Sequence, residues 1–166
     1  MSVFGDSGVG KTSMIVRYLT DQFDLEIGET MGVDIRIKKL IINDTNITLQ
    51  IWDFVGENRF RIMFPSYSRG SSGGIFMYDI TNKISLNNLN EWLNIFKNIN
   101  PQSPAIMVGG KSDLKDMRTV STEEAISISK SNDFYDYLEC SAKTGENIEI
   151  IFSKLLEKIM ENAGFL

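Results

Sequence analysis

Apolar positions along the chain fall into two alternating patterns. Dense short runs predict strands at Met1–Phe4, Val33–Ile42, Ile47–Trp52, Gly74–Asp79, Ala105–Gly109 and Tyr137–Cys140. Elsewhere apolar residues recur at helical spacing: Leu86, Leu89, Leu93 and Phe96, then Ile148, Ile151, Phe152, Leu155, Ile159 and Met160. Both stripes are expected to face a core. Ser13 to Leu19 is a further helix-like run, and Ser121 with Glu124 fits a capping box that opens a helix through Ser129. Pro101 and Pro104 keep the loop before the fifth strand out of a helix. Asn43 to Asn46 predict a turn that folds the second and third strands into an antiparallel hairpin.

Strand–helix alternation with one hairpin predicts an α/β fold, a mostly parallel sheet covered on both faces. No repeat, low-complexity tract or linker interrupts it, so residues 1–166 read as one domain. Ligands of such sheets bind at the carboxyl ends of the strands. The loops after strands one, three, five and six are therefore where chemistry is expected.

The first of these loops carries the strongest signal. Gly5 to Thr12 reads GDSGVGKT, a full match to G-x-x-x-x-G-K-[ST] between a strand-like and a helix-like run. Glycines let the backbone fold around a phosphate, and the freed amides and helix N-terminus then face the anion. Ser7, Gly8, Val9, Gly10, Lys11, Thr12 and Ser13 are the candidate phosphate contacts. Lys11 adds a point charge at the outer phosphates, and the Thr12 hydroxyl suits Mg²⁺. After the third strand, Asp53 is placed to support a cation and the Gly56 amide to reach a terminal phosphate; alone, the pair equally fits a polar strand end with a turn glycine. After the fifth, Lys111 and Asp113 read either as a solvated pair or as a base reader. A carboxylate at Asp113 accepts from both N1–H and the N2 amine of guanine, a donor pair that adenine lacks.

Composition narrows the alternatives. The net charge of −5 argues against non-specific binding to nucleic acid or anionic membrane. With no histidine, a histidine base or histidine metal site is excluded; with one cysteine, Cys140, so are an internal disulfide and a cysteine-rich zinc site. No apolar run approaches a membrane span and no signal peptide is visible.

The ordered set GDSGVGKT, Thr30, Asp53-x-x-Gly56, Lys111-Ser112-Asp113 and Ser141-Ala142-Lys143 resembles a Ras-superfamily small GTPase. The stretches TMGVDI, LQIWDFVGENRFR, SYSRG and MYDITN are closest to the Rab branch, and the likeness spans Val3 to about Met160. It implies a P-loop NTPase fold of six strands, five of them parallel, with about five helices. It implies GTP or GDP as the bound nucleotide, held with Mg²⁺ by Thr12, Thr30 and, behind them, Asp53. Thr30 and Gly56 would sense the γ-phosphate, and Phe23 would pack edge-on to guanine. The Lys111 stem would cover the base, Asp113 would read it, and the Ser141-Ala142-Lys143 loop would close around it, with the Ala142 amide on O6. The catalytic set would be Lys11, Thr30, Gly56 and Glu57. Segments 21–32 and 54–67 would be switches that meet effectors, exchange factors and GTPase-activating proteins. Ile35, Trp52 and Tyr67 match a partner-reading patch in the Rab pattern, with sheet packing as the competing role.

The chain departs from that pattern in places. Gly110 stands where the family has an asparagine that bonds the base and ties this loop to the phosphate loop; losing one or two bonds of about 1 kcal/mol each implies roughly tenfold weaker affinity or more. Phe54 and Val55 replace a small Thr-Ala pair, which is expected to alter closure of the second switch. Four residues before Gly5 are few for a central strand, and the C-terminal AGFL holds no cysteine for a prenyl anchor. Membrane association is thus not encoded in this chain. A cytoplasmic location is expected, peripheral to membranes only through a partner or a tail outside these residues. A hydrolysis-deficient interaction module and an NTPase of relaxed base choice are the competing functions.

Glu57 replaces the glutamine that orients the attacking water, and a carboxylate adds negative charge beside the γ-phosphate where catalysis needs it neutralised. Slow intrinsic hydrolysis follows. Glu57→Gln is predicted to raise the single-turnover rate of phosphate release; an unchanged rate would show that this position does not limit turnover.

Overall fold

The computed structural model describes residues 1–24, 32–56 and 63–166. Six strands, β1 (Ser2–Phe4), β2 (Val33–Ile42), β3 (Thr45–Phe54), β4 (Gly74–Asp79), β5 (Ala105–Gly110) and β6 (Asp136–Glu139), form one sheet in the order β2-β3-β1-β4-β5-β6. Only the β2–β3 pair is antiparallel. Six α-helices stand among the described residues: α1 (Lys11–Thr20), α2 (Phe64–Ser68), α3 (Lys83–Asn87), α4 (Leu89–Ile99), α5 (Thr122–Ser131) and α6 (Ile148–Asn162), with a 3-10 turn at Ser112–Met117. The mostly parallel α/β sheet is the predicted one.

Several boundaries differ from those expected. The hairpin turn narrows to Asn43 and Asp44, both left-handed at φ 47° and 60°, so Ile42 pairs directly with Thr45 and β3 gains residues at both ends. Asparagine and aspartate tolerate this conformation, and a two-residue turn of this hand matches the strand twist. The stripe from Leu86 to Phe96 is not one helix but two, joined at Asn88. Asn82 starts α3 by accepting from the Ile84 amide at 3.1 Å. Asn88 turns its side chain to Asp6 of the phosphate loop, donating at 2.7 Å. Strand β6 is shifted one residue, from Tyr137–Cys140 to Asp136–Glu139. Ser121 caps α5 as expected, accepting from the Glu124 amide at 3.1 Å, while the Glu124 carboxylate pairs with Lys83 at 2.8 Å and does not close the box.

The sheet has a core on each side. One joins α1 and α6 through Met14, Ile15, Tyr18, Ile151, Phe152 and Leu155. The other is aromatic and lies under α2 and α4. Strands β4 and β5 are buried along their whole length, which is why they read as unbroken apolar runs. Phe54 is buried there rather than displayed, its ring 5.2 Å from Phe4 and 5.1 Å from Phe64. The bulk of Phe54 therefore goes into core packing.

Phe4 ends β1, one residue before the phosphate loop. Its ring lies within 5.4 Å of four others, those of Phe54, Phe64, Phe76 and Phe96. Phe4→Ala is predicted to destabilise the fold by about 3–5 kcal/mol in denaturant melts; a loss under about 1 kcal/mol would contradict this packing account.

Candidate functional site

The phosphate loop leaves β1 and enters α1 through Gly10, whose φ of 103° reverses the chain at the helix N-cap. No side chain caps this helix and no acid lies in its first turn. Its leading amides and positive dipole end are thus offered to an anion. Lys11 is buried, and its Nζ donates to the carbonyls of Gly5 at 2.9 Å and Asp6 at 2.7 Å. Burial lowers its pKa to about 8 against the pull of Asp53 and Asp6. A buried ammonium beside open amides is an arrangement that an anionic ligand completes.

The end of β3 faces this loop. Thr12 Oγ1 donates to Asp53 Oδ2 at 2.6 Å. Asp53 is fully buried, and its Oδ1 has no hydrogen-bond partner among the described residues. Burial holds its pKa above the ordinary carboxylate value. A hydroxyl next to an orphaned carboxylate oxygen fits a small hard cation. Among the described residues no group of three carboxylate, histidine or cysteine ligands exists, so an ion here would take most of its oxygens from ligand and water. Gly56 packs directly on the phosphate loop: a Cβ there would lie 2.2 Å from both the Asp6 carbonyl carbon and the Ser7 nitrogen.

Beyond β5 and β6 the second half of the site closes. Asp113 is exposed, and its Oδ1 accepts from Ser141 Oγ at 2.6 Å, leaving Oδ2 without a partner among the described residues. Ser141 is fully buried and also accepts from the Thr144 amide at 3.1 Å. Lys111, left-handed at φ 65°, pairs with Asp79 at 2.6 Å. Ser112 Oγ donates to Glu146 Oε2 at 2.6 Å, fixing the two loops to each other.

The loops predicted to act therefore lie together at the carboxyl ends of the parallel strands. Ser7 and Gly8 are exposed, Val9 and Lys11 buried, and Gly10, Thr12 and Ser13 half-buried. Phe23 and Ala142 are half-buried, and Lys143 is exposed. Thr30 and Glu57 lie outside the described residues. Sequence reasoning missed three supports. Asp6 is gripped by Asn88 and by Trp92 Nε1, the latter at 3.1 Å. Asp79 anchors Lys111, and Glu146 anchors Ser112. Asp6 sits at a variable position of the phosphate motif, so its spacing gave no signal.

A family model described as the Ras family matches residues 1–161. The chain is 37% identical over 164 residues to Ras-related protein Rab-18-B of Danio rerio, covering 98% of this chain and 79% of that protein. It is 36% identical over 164 residues to Ras-related protein Rab-18 of Lymnaea stagnalis, at 98% and 80% coverage. Ras-related protein RABA6b of Arabidopsis thaliana is 37% identical over 160 residues, at 96% and 69%.

The orphaned Asp53 oxygen is a stability cost that an amide would reduce. Asp53→Asn is predicted to raise the thermal midpoint of the ligand-free, Mg²⁺-free protein by about 2–4 °C for each ~1 kcal/mol recovered. The same change is predicted to weaken the dependence of ligand affinity on Mg²⁺. A lowered midpoint in the ligand-free protein would contradict the reading of Asp53 as an unsatisfied buried charge.

Proposed function

This chain belongs to the Ras family, in its Rab branch, and from that premise we propose that residues 1–166 act as one G domain, a GTP/GDP switch that hydrolyses GTP slowly. The observation that carries the reading is the pairing of two half-sites at the carboxyl end of the sheet. A buried lysine and open helix amides await phosphates, and a carboxylate held by Ser141 awaits a base with adjacent N–H donors. Family membership supports the small-GTPase class.

Lys11 and the α1 amides would bind and orient the outer phosphates, and the close approach of Gly56 to the phosphate loop suits an amide that reports on the terminal one. Mg²⁺, held by Thr12 and Thr30 with Asp53 behind, would neutralise charge between the outer phosphates. Asp113 would accept from guanine, with the Ala142 amide on O6, Phe23 at the ring edge and the Lys111 stem across a face. Lys111 would leave Asp79 or share it in doing so. Glu57 would accept a proton from the attacking water yet orient it poorly.

The output would be partner binding through segments 21–32 and 54–67. Ile35 and Tyr67 are exposed, Ile35 pairs in register with Trp52, and the Trp52 and Tyr67 rings are 6.3 Å apart. Exposed Ile35 and Tyr67 support contact with a protein, while half-buried Trp52 also packs on the core. Exchange factors, GTPase-activating proteins and effectors are the expected partner classes, and membrane traffic the setting that Rab relatives suggest. Among the described residues no helix is long and apolar enough to cross a membrane. Glu57 favours one second reading, a nucleotide-bound interaction module without useful hydrolysis.

Single-turnover phosphate release from protein loaded with GTP and Mg²⁺ tests the proposal. Release over minutes to hours that Lys11→Ala abolishes is the expected result. Bound GTP recovered intact after prolonged incubation would leave the interaction module in its place.

A further inference from the structure

Gly110, the last residue of β5, lies one residue before Lys111 and three before Asp113. The space a side chain would take there is already filled. A Cβ on Gly110 would lie 2.3 Å from Met77 Cε and 2.9 Å from the Val9 carbonyl oxygen. The same methyl group reaches the other loop, where a Cβ on Gly10 would lie 3.4 Å from it. Further along, the Met77 carbonyl oxygen would be 2.0 Å from a Cβ on Gly5. One buried residue of β4 thus touches both ends of the phosphate loop and the start of the base loop. No positive φ is associated with Gly110, so its lack of a side chain serves this close approach and not a turn.

We propose that Met77 is a positioning residue for nucleotide retention, its thioether methyl filling the space beside Gly110 and turned toward Gly10, so that the phosphate loop and the base-reading loop are held at a fixed separation. This rests on the guanine-nucleotide reading above and deepens it: the tie expected to vanish with a glycine at 110 is supplied by packing from the neighbouring strand. An unbranched thioether suits an irregular gap of this kind. Dispersion contacts fall off steeply with a gap of even 0.5–1 Å, so shortening or crowding the methyl would loosen the two loops together. Met77 and Gly110 are then a matched pair. A side chain at 110 has room only when the residue at 77 is shorter, and a shorter residue at 77 leaves a void only when 110 is glycine.

Dissociation of a fluorescent GDP analogue, with Mg²⁺, from four proteins tests this: the parent, Met77→Val, Gly110→Ala and the double variant. Each single change is expected to speed release about threefold to tenfold or more, by a void or by crowding. The double variant is expected to release the analogue more slowly than the two single effects multiplied together, because valine removes Cε and leaves the Val9 carbonyl as the one close contact for the new Cβ. Thermal midpoints are measured alongside, since a merely structural role would lower them in the single variants and leave release unmoved. That outcome would overturn the inference, as would single effects that simply multiply in the double variant. A parent that holds no GDP analogue would overturn the guanine-nucleotide reading and this inference with it; a parent that holds it, with multiplying effects, overturns this inference alone.

Discussion

A buried ammonium that donates to its own loop organises this molecule. Lys11 bonds the carbonyls of Gly5 and Asp6, and those two contacts curl the chain between β1 and α1 into a cradle. The cost is desolvation, which brings the lysine down to about 8. An anion at the adjacent amides would restore the missing solvation. The fold thus holds a charge in reserve for its ligand, and nearly every other part of the site leans on this loop. Thr12 is tied to Asp53, Gly56 lies against Asp6 and Ser7, and Asp6 is held from behind by Asn88 and Trp92.

The departures from the family pattern become intelligible as packing. Phe54 is a bulky residue where a small one is usual, and it extends the aromatic cluster around Phe4. Gly110 lacks a side chain, and Met77 occupies the space. In both places volume lost or gained at the site is balanced in the neighbouring core, as expected of interiors packed to near-crystal density. Glu57 lies outside the described residues; as a sequence change it is electrostatic, a carboxylate where the family pattern has an amide.

Much of this was legible in the sequence. Strands β2 and β4 carried patterns strong enough to set their ends to the residue, and the phosphate motif declared both its loop and its flanking elements. The α6 stripe was legible as well, since a 3.6-residue period sustained from Ile148 to Met160 has few other meanings. The break at Asn88 was not, because its cause is a tertiary bond to Asp6, 82 residues away in sequence. The Ser141 bond to Asp113 spans 28 residues and the Lys111 pair with Asp79 joins two strands. Side chains of this kind are oriented by neighbours that no local period records, and Met77 is the extreme case, an ordinary core residue in the sequence whose importance lies in what faces it.

The central claim is that the two half-sites read one guanine nucleotide. Calorimetric titration of the nucleotide-free protein with GDP and, separately, ADP in the presence of Mg²⁺ tests it most directly. GDP binding tighter than ADP by on the order of 10²-fold or more is the predicted result, because adenine leaves the Asp113 carboxylate unpaired. Equal affinities, or binding of neither, would contradict the account.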